Sequence, residues 1–366
     1  MSYHSVTSSL TPPGRKEANM RVPKTIGVLA LGLVAALGPT AAPGPVEAQG
    51  QLNLYCTPQE EWCRAMVTAF EKATGIKVNM ARKSSGEFYA QIKAEAANPK
   101  GDIWWGGTGD PHLQAAEEGL TLEYKSPKLA ELQDWAARQA EQSKYRTVGV
   151  YAGALGFGYN TKLLAQKGFP EPKCWKDLLD ARYKDEVQVA DPNSSGTAYT
   201  LLATIIQIMG EDAGFDYLKK LHKNVNQYTK SGAAPAKAMA IGETLVGITF
   251  MHDIVTYAVQ GDPVKVVAPC EGTGYEIGSM SLIKGAQNLE NARKWYEWAL
   301  TPEAQQLGAQ AKAYQVPSHK KAVAPPQAPK FAEIKLIKYD FAKYGSSAER
   351  RRLLQKWDRE VKALPK

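Results

Sequence analysis

The sequence predicts an α/β protein built as two lobes, and three observations carry that prediction. From residue 51 to residue 109, stretches of alternating polarity give way in turn to stretches of helical spacing, in the order strand, helix, strand, helix, strand. The same order returns after residue 187, beyond a segment of different character, Val148–Asn160, rich in Gly, Tyr and small residues. The composition is that of an ordinary globular chain: 366 residues, 44% hydrophobic and 22% charged, with a net charge of +8. It excludes a disordered chain, a collagen-like chain and a disulfide-dense miniprotein.

The elements follow in order. Gln51–Tyr55 alternates as a strand. Thr57-Pro58 and the acidic pair Glu60-Glu61 open a helix whose Trp62, Met66, Ala69 and Phe70 share a face and which Thr74-Gly75 ends. Residues 76–80 alternate again. The loop Lys83-Ser-Ser-Gly-Glu87 leads into a helix over residues 88–97. Asp102-Ile-Trp-Trp105 reads as a strand stopped by Gly106-Gly107-Thr108-Gly109. Trp104 and Trp105 alternate, so one is expected in the core while the other can face a cleft. In the second half, residues 187–190 form a strand ending in Asp191-Pro-Asn-Ser-Ser-Gly-Thr197, with helices over 198–209 and 214–222. Residues 243–250 form a buried strand ending at His252-Asp253, and 264–268 a strand leading to Pro269–Glu276. From Asn288 onward the chain is mostly helical.

A chain that leaves one lobe, builds a second and returns leaves a cleft between them. The expected division is residues 49–150 for the first part of lobe 1, 151–275 for lobe 2, and 276–366 for a return crossing and a helical C-terminal part. The crossings are expected near 148–158 and 268–282. Ligands of open α/β sheets bind beyond the carboxyl ends of strands, where the polar loops above all lie.

Residues 1–48 read as an export signal. Thr25–Gly38 is apolar but only 14 residues long, against the ~20 needed to span a bilayer. Arg21 and Lys24 precede it, and Val46-Glu47-Ala48 offers a small-x-small cleavage site, with Met20 as a plausible start. Cleavage after Ala48 removes Arg15, Lys16, Arg21 and Lys24 with Glu17 and Glu47, lowering the net positive charge by two. An exported chain without a Lys/Arg block among aromatics is not expected to bind nucleic acid. Its four cysteines, Cys56, Cys63, Cys174 and Cys270, allow three disulfide pairings. The short gap across a strand-to-helix turn favours Cys56–Cys63, which leaves Cys174–Cys270. No CxxC or clustered His supports zinc instead.

The loop residues suggest chemistry, each beside a plainer role. Ser194-Ser195-Gly196-Thr197 places hydroxyls and N–H groups at a helix start, which suits phosphate or carboxylate and equally suits simple capping. Ser84-Ser85-Gly86 repeats that logic, with Glu87 placed for a capping box. Thr57 follows the first strand. Gly106-Gly107-Thr108 allows a ligand close to the backbone, or is a tight turn. His252-Asp253 ends a buried run opposite Glu276, whereas His112, His222 and His319 are expected at the surface or in packing. Glu276 is favoured over Glu271 as a cleft residue, because Glu271 adjoins the proposed disulfide.

Taken together, Leu54–Thr57, Lys83–Glu87, Asp102–Gly107, Asp191–Ala198, His252-Asp253 and Glu271–Glu276 resemble the solute-binding proteins of ABC importers. The resemblance is to the family that contains the ferric-iron-binding proteins and their organic-ligand relatives. It implies a type II periplasmic binding fold, with two α/β lobes joined by a hinge and a ligand cleft between them. It also implies a periplasmic, non-enzymatic monomer without cofactor, which closes on a small anionic solute and docks on an ABC permease driven by a cytoplasmic ATPase. Iron-binding members use a late Tyr-Tyr pair, and this sequence has none. It is more similar to the branch for phosphorylated sugars, in which a His-Asp pair and a later Glu hold sugar hydroxyls; here these are His252, Asp253 and Glu276. The implied binding set is Thr57, Ser84, Ser85, Gly107, Thr108, Ser194, Ser195, Gly196, Thr197, His252, Asp253 and Glu276, with no metal.

Two other readings stay open on sequence. Fe(III) could be held by Tyr151, Tyr159 or Tyr199 with an anion. Two carboxylates and a His are also compatible with hydrolase chemistry, but GxSxG, HExxH and P-loop motifs are absent, and Gly272-Thr-Gly274 lacks the rest of a dinucleotide fingerprint.

Overall fold

The computed structural model describes residues 50–366, so the expected export signal lies outside the described residues. The first lobe opens with β1 (Gln51–Cys56), α1 (Glu60–Thr74), β2 (Lys77–Arg82), α2 (Ser85–Ala94), β3 (Ile103–Thr108), α3 (Gly109–Glu117) and α4 (Asp134–Gln142). The α1 helix forms for the reasons legible in its sequence. Acidic residues occupy its first turn, Trp62, Cys63, Met66 and Phe70 are buried, and Gly75 ends it at φ 73°, its N–H bonded to Glu71 O at 2.8 Å.

The long β4 (Val148–Asn160) carries the chain into the second lobe. There follow α5 (Thr161–Lys167), β5 (Val187–Ala190), α6 (Gly196–Met209), α7 (Glu211–His222), β6 (Val225–Thr229), α8 (Ala234–Ala240), β7 (Val246–Phe250), α9 (Met251–Val259) and β8 (Val264–Val267). The chain returns in β9 (Tyr275–Leu282), α10 (Leu289–Ala299), α11 (Pro302–Gln310) and β10 (Val316–Pro317), and ends with α12 (Phe341–Tyr344) and α13 (Ser347–Trp357).

Strand order is β2-β1-β3-β9-β4-β7-β5-β6, with β8 and β10 also on β4. The β1–β2, β1–β3, β5–β6 and β5–β7 pairs are parallel, and the pairs made by β4 and β9 are antiparallel. β4 serves both lobes. Its first half, to Ala154, pairs with β9, and its second half, from Leu155, pairs with β7 and β8. Two cores result. One packs Trp62, Phe70, Trp105 and Trp295; the other packs Phe157, Trp175, Tyr199, Phe215 and Trp357.

Three segments therefore connect the lobes. The first is the middle of β4. The second approaches β9, where Leu155 N donates to Gly274 O at 3.0 Å. The third, which no sequence pattern marks, runs on from β10 to Leu336, which bridges to Thr273. It carries the last helices to the second lobe, where Leu353, Trp357 and Val361 join the core.

Several expectations are corrected. β3 does not stop at Trp105 but continues through Gly106 and Gly107, whose φ values of 77° and 87° need glycine and coincide with a register shift against β9. Neither Trp104 nor Trp105 faces a cleft. Trp104 stacks on His112 with centroids 3.5 Å apart, and Trp105 packs edge-on to Trp62 and Trp295. Of the two places expected for His112, His222 and His319, the structure shows packing: all three are buried. The cysteines pair as favoured, Cys56 with Cys63 and Cys174 with Cys270.

Candidate ligand-binding site

A cavity lined largely by polar residues lies between the two lobes. Eleven of the sequence-derived candidates line it: Thr57, Ser84, Ser85, Gly107, Thr108, Ser195, Gly196, Thr197, His252, Asp253 and Glu276. Ser194 does not. Its hydroxyl turns back to the carbonyls of Asp191 (3.3 Å) and Lys230 (3.1 Å), so the turn before α6 uses it internally. Glu271 is also elsewhere, accepting from Trp175 N and Lys176 N beside the second disulfide.

Two helix starts converge on this cavity from opposite lobes, α2 at Ser84-Ser85 and α6 at Ser195-Gly196. Unsatisfied N–H groups and the helix dipole favour an anion at such ends. Four of the hydroxyls nearby share one property. Thr57 Oγ1 accepts from Trp104 Nε1 at 2.9 Å, and Ser85 Oγ accepts from Thr108 N at 3.2 Å. Ser195 Oγ accepts from Ala198 N at 3.4 Å, and the Tyr151 hydroxyl accepts from Gly107 N at 2.8 Å. Each oxygen already receives a protein N–H, so its own hydrogen remains to be donated. Burial holds the Tyr151 phenol well above its usual range, so it stays a donor. Arg82 supplies the permanent positive charge among the described residues of the lining, its Nε anchored on Pro58 O at 2.9 Å.

The second group of residues brings acceptors. His252 Nε2 lies 3.8 Å from both Asp253 Oδ1 and Glu276 Oε1. These three residues come from the first turn of α9 and from β9, not from loops. Burial lowers the His252 pKa despite the neighbouring Asp253, which keeps the imidazole neutral. Burial, followed by the charges of Asp253 and Asp110, pushes Glu276 well above the carboxylate range, so it is held protonated. Asp253 is fixed by Gln59 Nε2, which donates to Oδ1, and by Thr249 Oγ1, 2.8 Å from Oδ2. Gln59 Oε1, Thr108 Oγ1 and His252 Nδ1 are buried without protein partners, and all three residues line the cavity. Buried polar atoms of this kind call for a polar ligand.

The tyrosines considered for iron are scattered. Tyr151 lines the cavity, but Tyr199 donates to Tyr344 O inside the second core, and Tyr159 packs in that core beneath Lys265. One phenol does not make the ligand set a ferric ion needs. Sequence reasoning missed Gln59, Arg82, Tyr151 as a donor, Ser231, Gly232, Phe250 and Gln315. Arg82 is within reach of the strand-end rule, since β2 runs two residues past the predicted end. Ser231 and Gly232 follow β6, whose residues Val225-Asn-Gln-Tyr-Thr229 show no clear apolar alternation.

Known proteins agree with this geometry. A family model described as bacterial extracellular solute-binding protein matches residues 100–344. An uncharacterized protein of Haemophilus influenzae is 45% identical over 316 residues, 86% of this chain and 91% of that one. The periplasmic binding protein AfuA from Actinobacillus pleuropneumoniae, solved with exogenous fructose-6-phosphate bound, is 44% identical with a TM-score of 0.84, covering 86% of this chain and 99% of that one. The periplasmic binding protein P5PA is 40% identical with a TM-score of 0.83, covering 85% and 99%. A two-lobed fold, a polar cavity between the lobes and a family match over most of the described chain lead to one conclusion: this chain belongs to the bacterial extracellular solute-binding proteins, with the type II periplasmic binding fold.

Proposed function

We propose that the protein is the periplasmic receptor of an ABC importer for a phosphorylated sugar. The observation that carries this reading is the division of one cavity into two chemistries. Thr57, Ser85, Ser195 and Tyr151 present hydroxyl hydrogens beside two helix starts and Arg82, a set that fits a phosphate. His252, Asp253 and Glu276 fit the hydroxyls of a sugar. Protonated Glu276 and neutral His252 also keep negative charge low near an anionic ligand. The fructose-6-phosphate bound to AfuA supports the same class.

Capture works by closure in this reading. The three connecting segments act as the hinge, the ligand bridges the lobes, and the closed form delivers it to a permease coupled to a cytoplasmic ATPase. The protein itself carries out no chemistry. Native mass spectrometry of protein purified under gentle conditions tests the reading. The expected result is a retained ligand that releases phosphate on fragmentation. A retained ligand without phosphorus would contradict it, and so would a visible phenolate-to-iron band on adding ferric citrate.

A further inference from the structure

At two of the points where the lobes touch beside the ligand cavity, one partner is a glycine. Gly86, in the first turn of α2 on the first lobe, donates its N–H to Ser194 O on the second lobe at 3.0 Å. Gly196, the first residue of α6 on the second lobe, faces Thr108 of β3 on the first. Neither glycine has a positive φ, so neither is there for backbone conformation. What each lacks is space. A Cβ on Gly196 would overlap Thr108 Oγ1 and lie 2.9 Å from Thr108 Cβ and 3.0 Å from Cγ2. A Cβ on Gly86 would overlap Asn193 O and lie 2.8 Å from Ser194 O. All of these neighbours belong to the opposite lobe.

We propose that Gly86 and Gly196 are closure-determining positions, one on each lobe, whose missing side chains let the lobes meet over the ligand. The three atoms nearest each such Cβ, all within 3.0 Å, are on the opposite lobe, so parting the lobes removes the closest clashes, and alanine is the better helix former. The two sites differ in one respect. Gly196 is opposed by a side chain that can be removed, whereas Gly86 is opposed by backbone carbonyls that cannot. The inference deepens the closure reading and rests on it, but it can be tested without knowing the ligand.

Thr256 Oγ1 on the second lobe lies 2.8 Å from Lys312 O on the first, so a cysteine pair at 256 and 312 reports closure. In a T256C/K312C background, a short bifunctional thiol reagent is added to unliganded protein. Cross-linking is expected to slow at least tenfold with G86A and with G196A, while the melting temperature of each stays at or above the parent's. T108G is expected to restore the rate in G196A and not in G86A. Unchanged rates in both variants overturn the proposal. Lowered melting temperatures in both also overturn it, because the glycines would then serve folding. A scattering arm with fructose 6-phosphate keeps the two readings apart. If the parent fails to compact while the cross-linking rates still separate, the sugar-phosphate reading falls and the role of the glycines stands.

Discussion

Asp253 carries the sharpest residue-scale prediction. Its carboxylate is held in place by Gln59 and Thr249, so removing it takes away an acceptor without disturbing the core. Asp253→Ala is expected to weaken binding more than about tenfold in a calorimetric titration, in line with the loss of a charge-assisted hydrogen bond. Arg82→Gln is expected to cost a similar factor and to flatten the dependence of affinity on salt, because the cation facing the anionic end is gone. Asp110, outside the cavity lining, gives a pH test. Burial raises its pKa to about 7 against the partial relief of Arg350, whereas an unfolded aspartate titrates near ~4. The folded chain therefore binds an extra proton in that window. Its stabilising contribution is complete below about pH 4 and is lost as pH rises toward about 7. Asp110→Asn should thus gain stability relative to wild type across that window, by up to about 4 kcal/mol, about three pKa units at about 1.4 kcal/mol each. Melting curves of both proteins at pH 4 and pH 7 check this, and a constant difference would contradict it. At this scale the sequence is most informative where residue type and position coincide. His252, Asp253 and Glu276 stand out as a set and share the cavity. Ser194 cannot be separated from Ser195 by sequence, because one turn of backbone decides which hydroxyl points inward.

Elements explain why those side chains meet. β4 crosses between lobes at Gly153 and Ala154, and Gly153 lies opposite Glu276 in the β9 register. A Cβ on Gly153 would sit 2.5 Å from His252 Cε1 and Nδ1 and 3.3 Å from Glu276 Oε1. The crossing strand thus touches the accepting end of the site through a position without a side chain. Gly153→Ala is expected to push His252 aside and reduce affinity about tenfold or more, equivalent to about 1.4 kcal/mol. The far-ultraviolet circular dichroism should stay unchanged, and retained affinity would contradict this. Strong periodicity makes the first lobe's α1 and the strand at Val187–Ala190 legible. β9 is read in sequence only as part of a crossing near 268–282, because Gly278 within Tyr275–Leu282 weakens the strand signal. It is a strand because β3 and β4 pair with it on both sides, which no local pattern reveals.

For the whole molecule, the division into two lobes is visible in the repeat of the strand–helix order. The third connecting segment is not, because residues 318–336 have little regular structure and their path is set by distant partners such as Thr273. The described chain has its lobes in direct contact at Gly86 with Ser194, at Gln59 with Asp253 and at Thr256 with Lys312. In the closure proposed above, those contacts part and reform around a solute. The central claim is that the cavity recognises a phosphate and a sugar in one molecule. Isothermal titration of the purified protein with fructose 6-phosphate, fructose and inorganic phosphate tests that claim most directly. One tight site is expected for fructose 6-phosphate, with far weaker heats for fructose or phosphate alone. Equal binding of free fructose, or no binding of any hexose phosphate, would contradict it.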